Sequence, residues 1–208
     1  GTSDMSGGAG RRVPGPEGQT KQRVERGMGG VPPTGGAKGA AGVASVNGVN
    51  RLAFCSAAST LVPSDANNGR DVFLVDPLNP AIVAQRISVD ATGNQLPGDS
   101  CEPKLSSDGT RVVFSLSAPS LFSTPARQIV RKDLPGAGKA LFTGQFLPIT
   151  TTSTGQVATA DSSEPTINQD GSVVAFTSQA NLDGLGAPFN REVFVSLPIS
   201  GNNRLIQR

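Results

Sequence analysis

The sequence predicts an all-β protein: a partial β-propeller of three four-stranded antiparallel blades, preceded by an extended Gly/Pro-rich N-terminal arm. Three observations carry this expectation. Phe54, Phe114 and Phe176 recur at spacings of 60 and 62 positions inside similar segments, so the chain is internally repetitive. Each segment places a turn dipeptide, Asn47-Gly48, Asp108-Gly109 or Asp170-Gly171, between two apolar runs, and the glycine supplies the positive φ that a hairpin turn needs. The 208 residues include 26 Gly and 16 Pro but no Trp, Tyr or His, which favours short strands and many turns and leaves aromatic packing to nine Phe.

Residues 1–41 are a different material from the rest. They hold nearly half of the glycines and almost no bulky apolar side chain, so they bury too little surface to offset the entropy of ordering them. Arg11, Arg12, Lys21, Arg23, Arg26 and Lys38 outnumber Asp4, Glu17 and Glu25, making the segment mildly basic. It reads either as a disordered linker or as an extended arm that becomes ordered when laid along a partner subunit.

The blades follow at about residues 42–98, 99–160 and 161–208. Each opens with a hairpin: Gly42 to Ser56 around Asn47-Gly48, Glu102 to Ser117 around Asp108-Gly109, and Glu164 to Ser178 around Asp170-Gly171. A third strand follows a loop in each copy, in Gly-Arg70-Asp-Val-Phe-Leu-Val-Asp76, Ala-Arg127-Gln-Ile-Val-Arg-Lys-Asp133 and Asn-Arg191-Glu-Val-Phe-Val-Ser196. A weaker fourth strand closes each unit, at 83–89, around 146–151, and at 203–207. Four antiparallel strands in about 60 residues describe a propeller blade rather than a helix-bearing solenoid repeat.

The segments Ser100 to Ser117 and Ser162 to Ser178, with Asp71 to Asp76 supplying the second half of the pattern, resemble the WD40-like repeats of TolB-type propellers, found in many exported bacterial proteins. The resemblance implies a propeller fold and a periplasmic or extracellular location. Two departures stand out. Blade one lacks the Glu-Pro opening, and blade two has Gln128-Ile129-Val130 where Asp-Val-Phe is usual, which predicts an irregular third strand there.

Three blades fall short of the four to eight that ordinarily close a ring, so further blades, a second copy or another protein is expected to cover the open faces. A formal charge of +2 argues against a nucleic-acid partner, and no apolar run reaches the length of a membrane span. Cys55 ends the second strand of blade one and Cys101 precedes the first strand of blade two. They are two buried thiols or one bridge between neighbouring blades, and the hairpin layout favours the bridge, which would imply an oxidising compartment.

Asp65, Asn67 and Asp71 invite a calcium reading, but their register does not fit an EF-hand, so turn-forming side chains bonded to their own backbone are expected. Asp108 and Asp170 read as turn residues rather than as a carboxylate pair. Glu102 and Glu164 recur at the entrance of the first strand, where they line a channel mouth or cap neighbouring backbone amides, the second being favoured. The absence of His excludes a Ser-His-Asp relay and imidazole metal ligands, and no Gly-rich stretch is placed as a phosphate loop. No catalytic, metal or cofactor site is expected. The expected function is a non-catalytic structural or accessory subunit, contacting other protein subunits through the arm and the open blade faces in an exported or membrane-associated assembly. The alternative is a ligand-binding or sensory propeller that takes a peptide or glycan at loops 61–68 and 183–189.

Overall fold

The computed structural model describes residues 13–14, 20–21, 27–28, 37–46, 48–79, 83–134, 146–152, 154–185, 190–199 and 202–207, and all structural statements below concern these. Most of the N-terminal arm and Asn47 lie outside them. Within the arm, β1 (Val13–Pro14) pairs with β2 (Thr20–Lys21), and the Met28 N–H donates to the Thr60 carbonyl at 2.7 Å.

Three four-stranded antiparallel meanders follow. The first contains β3 (Ala37–Val46), β4 (Val49–Ser56), β5 (Asp71–Val75) and β6 (Gln85–Arg86), paired in that order. The second contains β7 (Asp99–Leu105), β8 (Arg111–Ser117), β9 (Gln128–Asp133) and β10 (Phe146–Pro148), with one helical turn, α1 (Pro119–Phe122), between β8 and β9. The third contains β11 (Ser162–Ile167), β12 (Val174–Ser178), β13 (Glu192–Ile199) and β14 (Asn202–Gln207). The first strand therefore starts at Ala37, inside the Gly/Pro-rich segment.

The glycines of the turn dipeptides take the positive φ that their turns require. Val46 pairs with Val49 across a two-residue turn in which Gly48 has φ +80°. The other two hairpins use longer loops, with Gly109 at φ +66° and Gly171 at φ +71°. There the Asp108 carboxylate accepts from the Thr110 N–H at 2.9 Å, and the Asp170 carboxylate from the Ser172 N–H at 3.0 Å, the side-chain-to-backbone bonding of a turn residue.

The expected irregularity of the third strand in blade two is corrected. β9 pairs with β8 at six consecutive positions from Leu116↔Gln128 to Arg111↔Asp133. Gln128 is buried there because its amide finds partners: it donates to the carbonyls of Ala126 and Ala158 at 3.0 and 2.9 Å and accepts from Thr150 Oγ1 at 2.6 Å. A satisfied amide is as compatible with a buried strand as the usual carboxylate.

Cores lie between successive sheets. Ala53, Cys55, Val72 and Leu74 of the first sheet meet Val112, Phe114, Leu116 and Val130 of the second. Val113 and Ile129 on the other side of the second sheet meet Val174, Phe176 and Phe194 of the third. The period-two alternation of β8 and β12 thus sends Phe114 and Phe176 toward the preceding sheet. Phe54 and Phe73, on the leading side of the first sheet, stack on each other and are buried with Ala58, Leu61 and Ala84. Face-to-face succession of four-stranded meanders is the architecture of a propeller segment.

Candidate functional site

The polar groups that recur in the three sheets are concentrated where one sheet meets the next. At one end, each third strand is preceded by an arginine. The Arg70 N–H donates to Asp99 Oδ1 at 2.9 Å, its Nε donates to the same oxygen at 2.8 Å, and its Nη2 makes a close ion pair with Asp99 Oδ2. The Ser100 N–H then donates to the Arg70 carbonyl at 2.8 Å. One sheet later, the Arg127 N–H donates to Asp161 Oδ1 at 2.8 Å and the Ser162 N–H to the Arg127 carbonyl at 2.9 Å. An Asp-Ser pair entering the second or third sheet is thus clasped by the arginine of the sheet before it. The Arg70 guanidinium holds the Asp99 carboxyl below its ordinary pKa against the opposing effect of burial. In the third sheet the corresponding Arg191 turns back on its own sheet, donating to Ser163 Oγ at 2.6 Å and lying 3.9 Å from Glu164 Oε2.

The opposite end is tied by a second arginine series. Arg51 Nη1 donates to the Gly109 carbonyl at 2.7 Å, and Arg111 Nη1 to the Asp170 carbonyl, so each arginine on a second strand grips the hairpin turn of the following sheet. Val173 takes this position in the third sheet.

Glu102 and Glu164 sit at β-bulges, where the register of β7 against β8 and of β11 against β12 shifts, with φ of +53° and +56°. Glu102 Oε2 accepts the Glu164 N–H at 3.3 Å, the backbone-capping role the sequence favoured, reaching across to the neighbouring sheet. Glu164 Oε2 accepts from Thr177 Oγ1 at 3.2 Å.

Cys55 and Cys101 are joined by a disulfide with Cα atoms 5.2 Å apart, linking β4 to β7 within the core between the first two sheets.

Asp65 and Asp71 do not act as local turn residues. Both approach Arg86, with Asp71 Oδ2 3.2 Å from Nε and Asp65 Oδ1 3.5 Å from Nη2, and both accept from Gln95 Nε2, at 2.6 and 2.8 Å. Ser88 Oγ donates to Asp71 Oδ1 at 2.5 Å. Burial raises the Asp71 pKa, outweighing the bonds from Ser88, Arg86 and Gln95 that lower it. Asn67 does accept locally, from the Gly69 N–H at 2.8 Å, but its amide also reaches the Leu96 and Gly98 carbonyls at 3.1 and 3.0 Å. Arg86, Ser88 and Gln95 escape sequence reasoning because they lie 15 to 30 positions from their partners and belong to no repeated motif.

Lys132 on β9 is 1% exposed, and its Nζ donates at 2.6 Å to the carbonyl of Val89, which lies beyond β6 in an isolated bridge with Gln95. Burial pulls its pKa down to about 8, with Asp90 opposing.

The remaining feature is the outward face of the third sheet. Strand alternation sets Ala175 and Thr177 of β12 beside Val195 and Val193 of β13, opposite the face that carries Phe176 and Phe194. Ala53, Cys55, Val72 and Leu74 hold the same register positions in the first sheet, and Val113, Ser115, Ile129 and Arg131 in the second. Seven of those eight are buried under the following sheet, Arg131 only in part, whereas Val193 is 48% exposed.

The sheet topology defines the class, a β-propeller segment. No protein-family model and no curated protein matches the chain. Among solved structures it is similar to TolB from Acinetobacter baumannii, at 16% identity and a TM-score of 0.46 over 79% of this chain and 31% of that one. It is also similar to an alpha-L-arabinofuranosidase from Lactobacillus brevis, at 12% identity and a TM-score of 0.42 over 88% of this chain and 58% of that one. The chain spans less than two thirds of the length of either structure.

Proposed function

We propose that the protein is a non-catalytic structural or accessory subunit, a propeller segment that mediates protein–protein contacts in a larger exported or membrane-associated assembly. The observation that carries this reading is the outward face of the third sheet. It repeats positions that are interface in the first two sheets, yet leaves Val193 exposed. The polar groups a ligand site would use are spent on holding one sheet to the next, as Arg70, Arg127, Arg51 and Arg111 illustrate. The Cys55–Cys101 disulfide supports a periplasmic or extracellular setting, because such bonds persist in oxidising compartments.

The alternative, a ligand-binding or sensory propeller taking a peptide or glycan, has less behind it. In the 61–68 loop, Asp65 and Asn67 point their polar atoms into the protein's own framework rather than toward a ligand.

Mass spectrometry of the native particle, isolated without denaturation, tests the proposal. The expected result is this chain in fixed stoichiometry with other protein. A particle that contains only a monomer of the chain, with a peptide or glycan bound at the 61–68 loop, would replace this reading with the alternative.

A further inference from the structure

We infer that the outward face of the third sheet is a socket for one further sheet of this same repeat, entered by a strand that opens with Asp-Ser. The inference rests on the contact-making role proposed above and names the partner's chemistry.

The socket is built twice within the chain, and both times it is filled. In each case the arginine before the third strand gives its backbone N–H to an aspartate and its carbonyl to the N–H of the next serine: Arg70 with Asp99-Ser100, and Arg127 with Asp161-Ser162. In each case, too, the incoming second strand lays a phenylalanine, Phe114 or Phe176, against the preceding sheet. The incoming strands share Asp-Ser-x-Glu-Pro, in Asp99 to Pro103 and Asp161 to Pro165. The third sheet repeats the receiving half, with Arg191 at the clasp position and Ala175, Thr177, Val193 and Val195 on the face. Among the described residues no Asp-Ser pair stands against Arg191.

A second copy of this chain is a poor occupant. Its leading strand β3 sets Ala37 against Ser56, where β7 sets Ser100 against Leu116 and β11 sets Ser162 against Ser178. Gly36 precedes Ala37 in the sequence, so no Asp-Ser pair enters this strand, and its Phe54 and Phe73 are already buried with Ala58, Leu61 and Ala84. Its two Asp-Ser pairs, Asp99-Ser100 and Asp161-Ser162, are held inside the chain. Val173, in place of Arg51 and Arg111, removes the grip on an incoming hairpin turn. The clasp and the apolar face therefore carry recognition, and the turn does not.

The test titrates a synthetic hairpin of residues 160–178, which carries Asp161-Ser162 and Phe176, into the isotopically labelled full chain and follows backbone amides by NMR. Saturable shifts at Arg191, Thr177 and Val193 are expected. Asp161→Ala in the hairpin should weaken binding about tenfold, the loss of one charge-assisted hydrogen bond. Val193→Arg in the full chain should abolish binding while leaving the thermal midpoint unchanged, since the side chain is half exposed. No saturable shift at Arg191, or shifts indifferent to Val193→Arg, would overturn the inference. A homodimer by sedimentation that Val193→Arg dissociates would also overturn it, by assigning the face to a second copy. If the hairpin does not bind while the native particle still contains other protein, this inference falls and the accessory-subunit reading stands.

Discussion

Lys132 buries an ammonium group almost wholly, with the Val89 carbonyl as its hydrogen-bond partner and Asp90 as the opposing charge nearby. In the unfolded chain it keeps its proton up to the ordinary value of 10.5, whereas in the folded chain it releases it at about 8. Between those values the unfolded state binds the extra proton, so stability rises with pH; below about pH 8 the folded state carries the full cost of the buried charge. No tyrosine is present and both cysteines are bonded, so few other groups titrate in this window. Denaturant midpoints measured from pH 7.5 to 10 are expected to climb for the native sequence. The slope should flatten in Lys132→Met, which keeps the aliphatic stem and removes the ammonium; an unchanged slope would exclude Lys132 as its source.

At the scale of elements, the strands were largely legible in the sequence. The hairpins announce themselves through Asp-Gly and Asn-Gly between alternating apolar residues, and their phenylalanines mark the side turned toward the neighbour. Less legible were the lengths of the first two fourth strands, whereas β14 (Asn202–Gln207) falls where 203–207 was expected. β6 is two residues long and β10 three, because local pattern alone does not fix an edge strand whose pairing depends on a loop crossing. The bulges at Glu102 and Glu164 were also hidden, since a glutamate before proline gives no sign of a left-handed backbone. Close backbone contact is similarly silent until the sheets are assembled. A Cβ at Gly98, which has φ +84°, would run into the Ser117 carbonyl, and one at Gly69 into the Gly98 carbonyl. Gly98→Ala is therefore expected to lower stability by on the order of 1–3 kcal/mol through the backbone conformation alone, and by more through the collision. Chemical denaturation measures this directly, and a variant as stable as the parent would contradict the close approach.

At the scale of the whole molecule, cohesion comes from repeated sheet-to-sheet contacts plus one covalent staple. Half of the clasp was visible as repeated letters, Arg70, Arg127 and Arg191 on one side and the segments opening at Ser100 and Ser162 on the other, yet the part of Asp99 and Asp161 and the pairing across sheets required three-dimensional placement. The disulfide was open to inference because Cys55 and Cys101 fall at the facing ends of adjacent hairpins. The Asp65–Asp71–Arg86–Gln95 cluster had no such guide. Closing a loop of 46 residues stabilises a fold by about 4 kcal/mol in chain-entropy terms, with 2–4 kcal/mol typical of measured cases. Replacing both cysteines by alanine is expected to lower unfolding free energy within that range, read from denaturant curves under non-reducing conditions. A loss confined to a few tenths would mean that the non-covalent contacts between the first two sheets already hold them together.

The same staple also sets how much chain can be drawn out under tension. A protein pulled from its two ends pays out all of its length except the stretch between Cys55 and Cys101, which the bond short-circuits. That hidden reserve amounts to about 160 Å of fully extended chain. A subunit strung between anchored neighbours would thus reach its taut limit sooner in an oxidising compartment than in a reducing one, making the reach of the tether a property of its chemical surroundings.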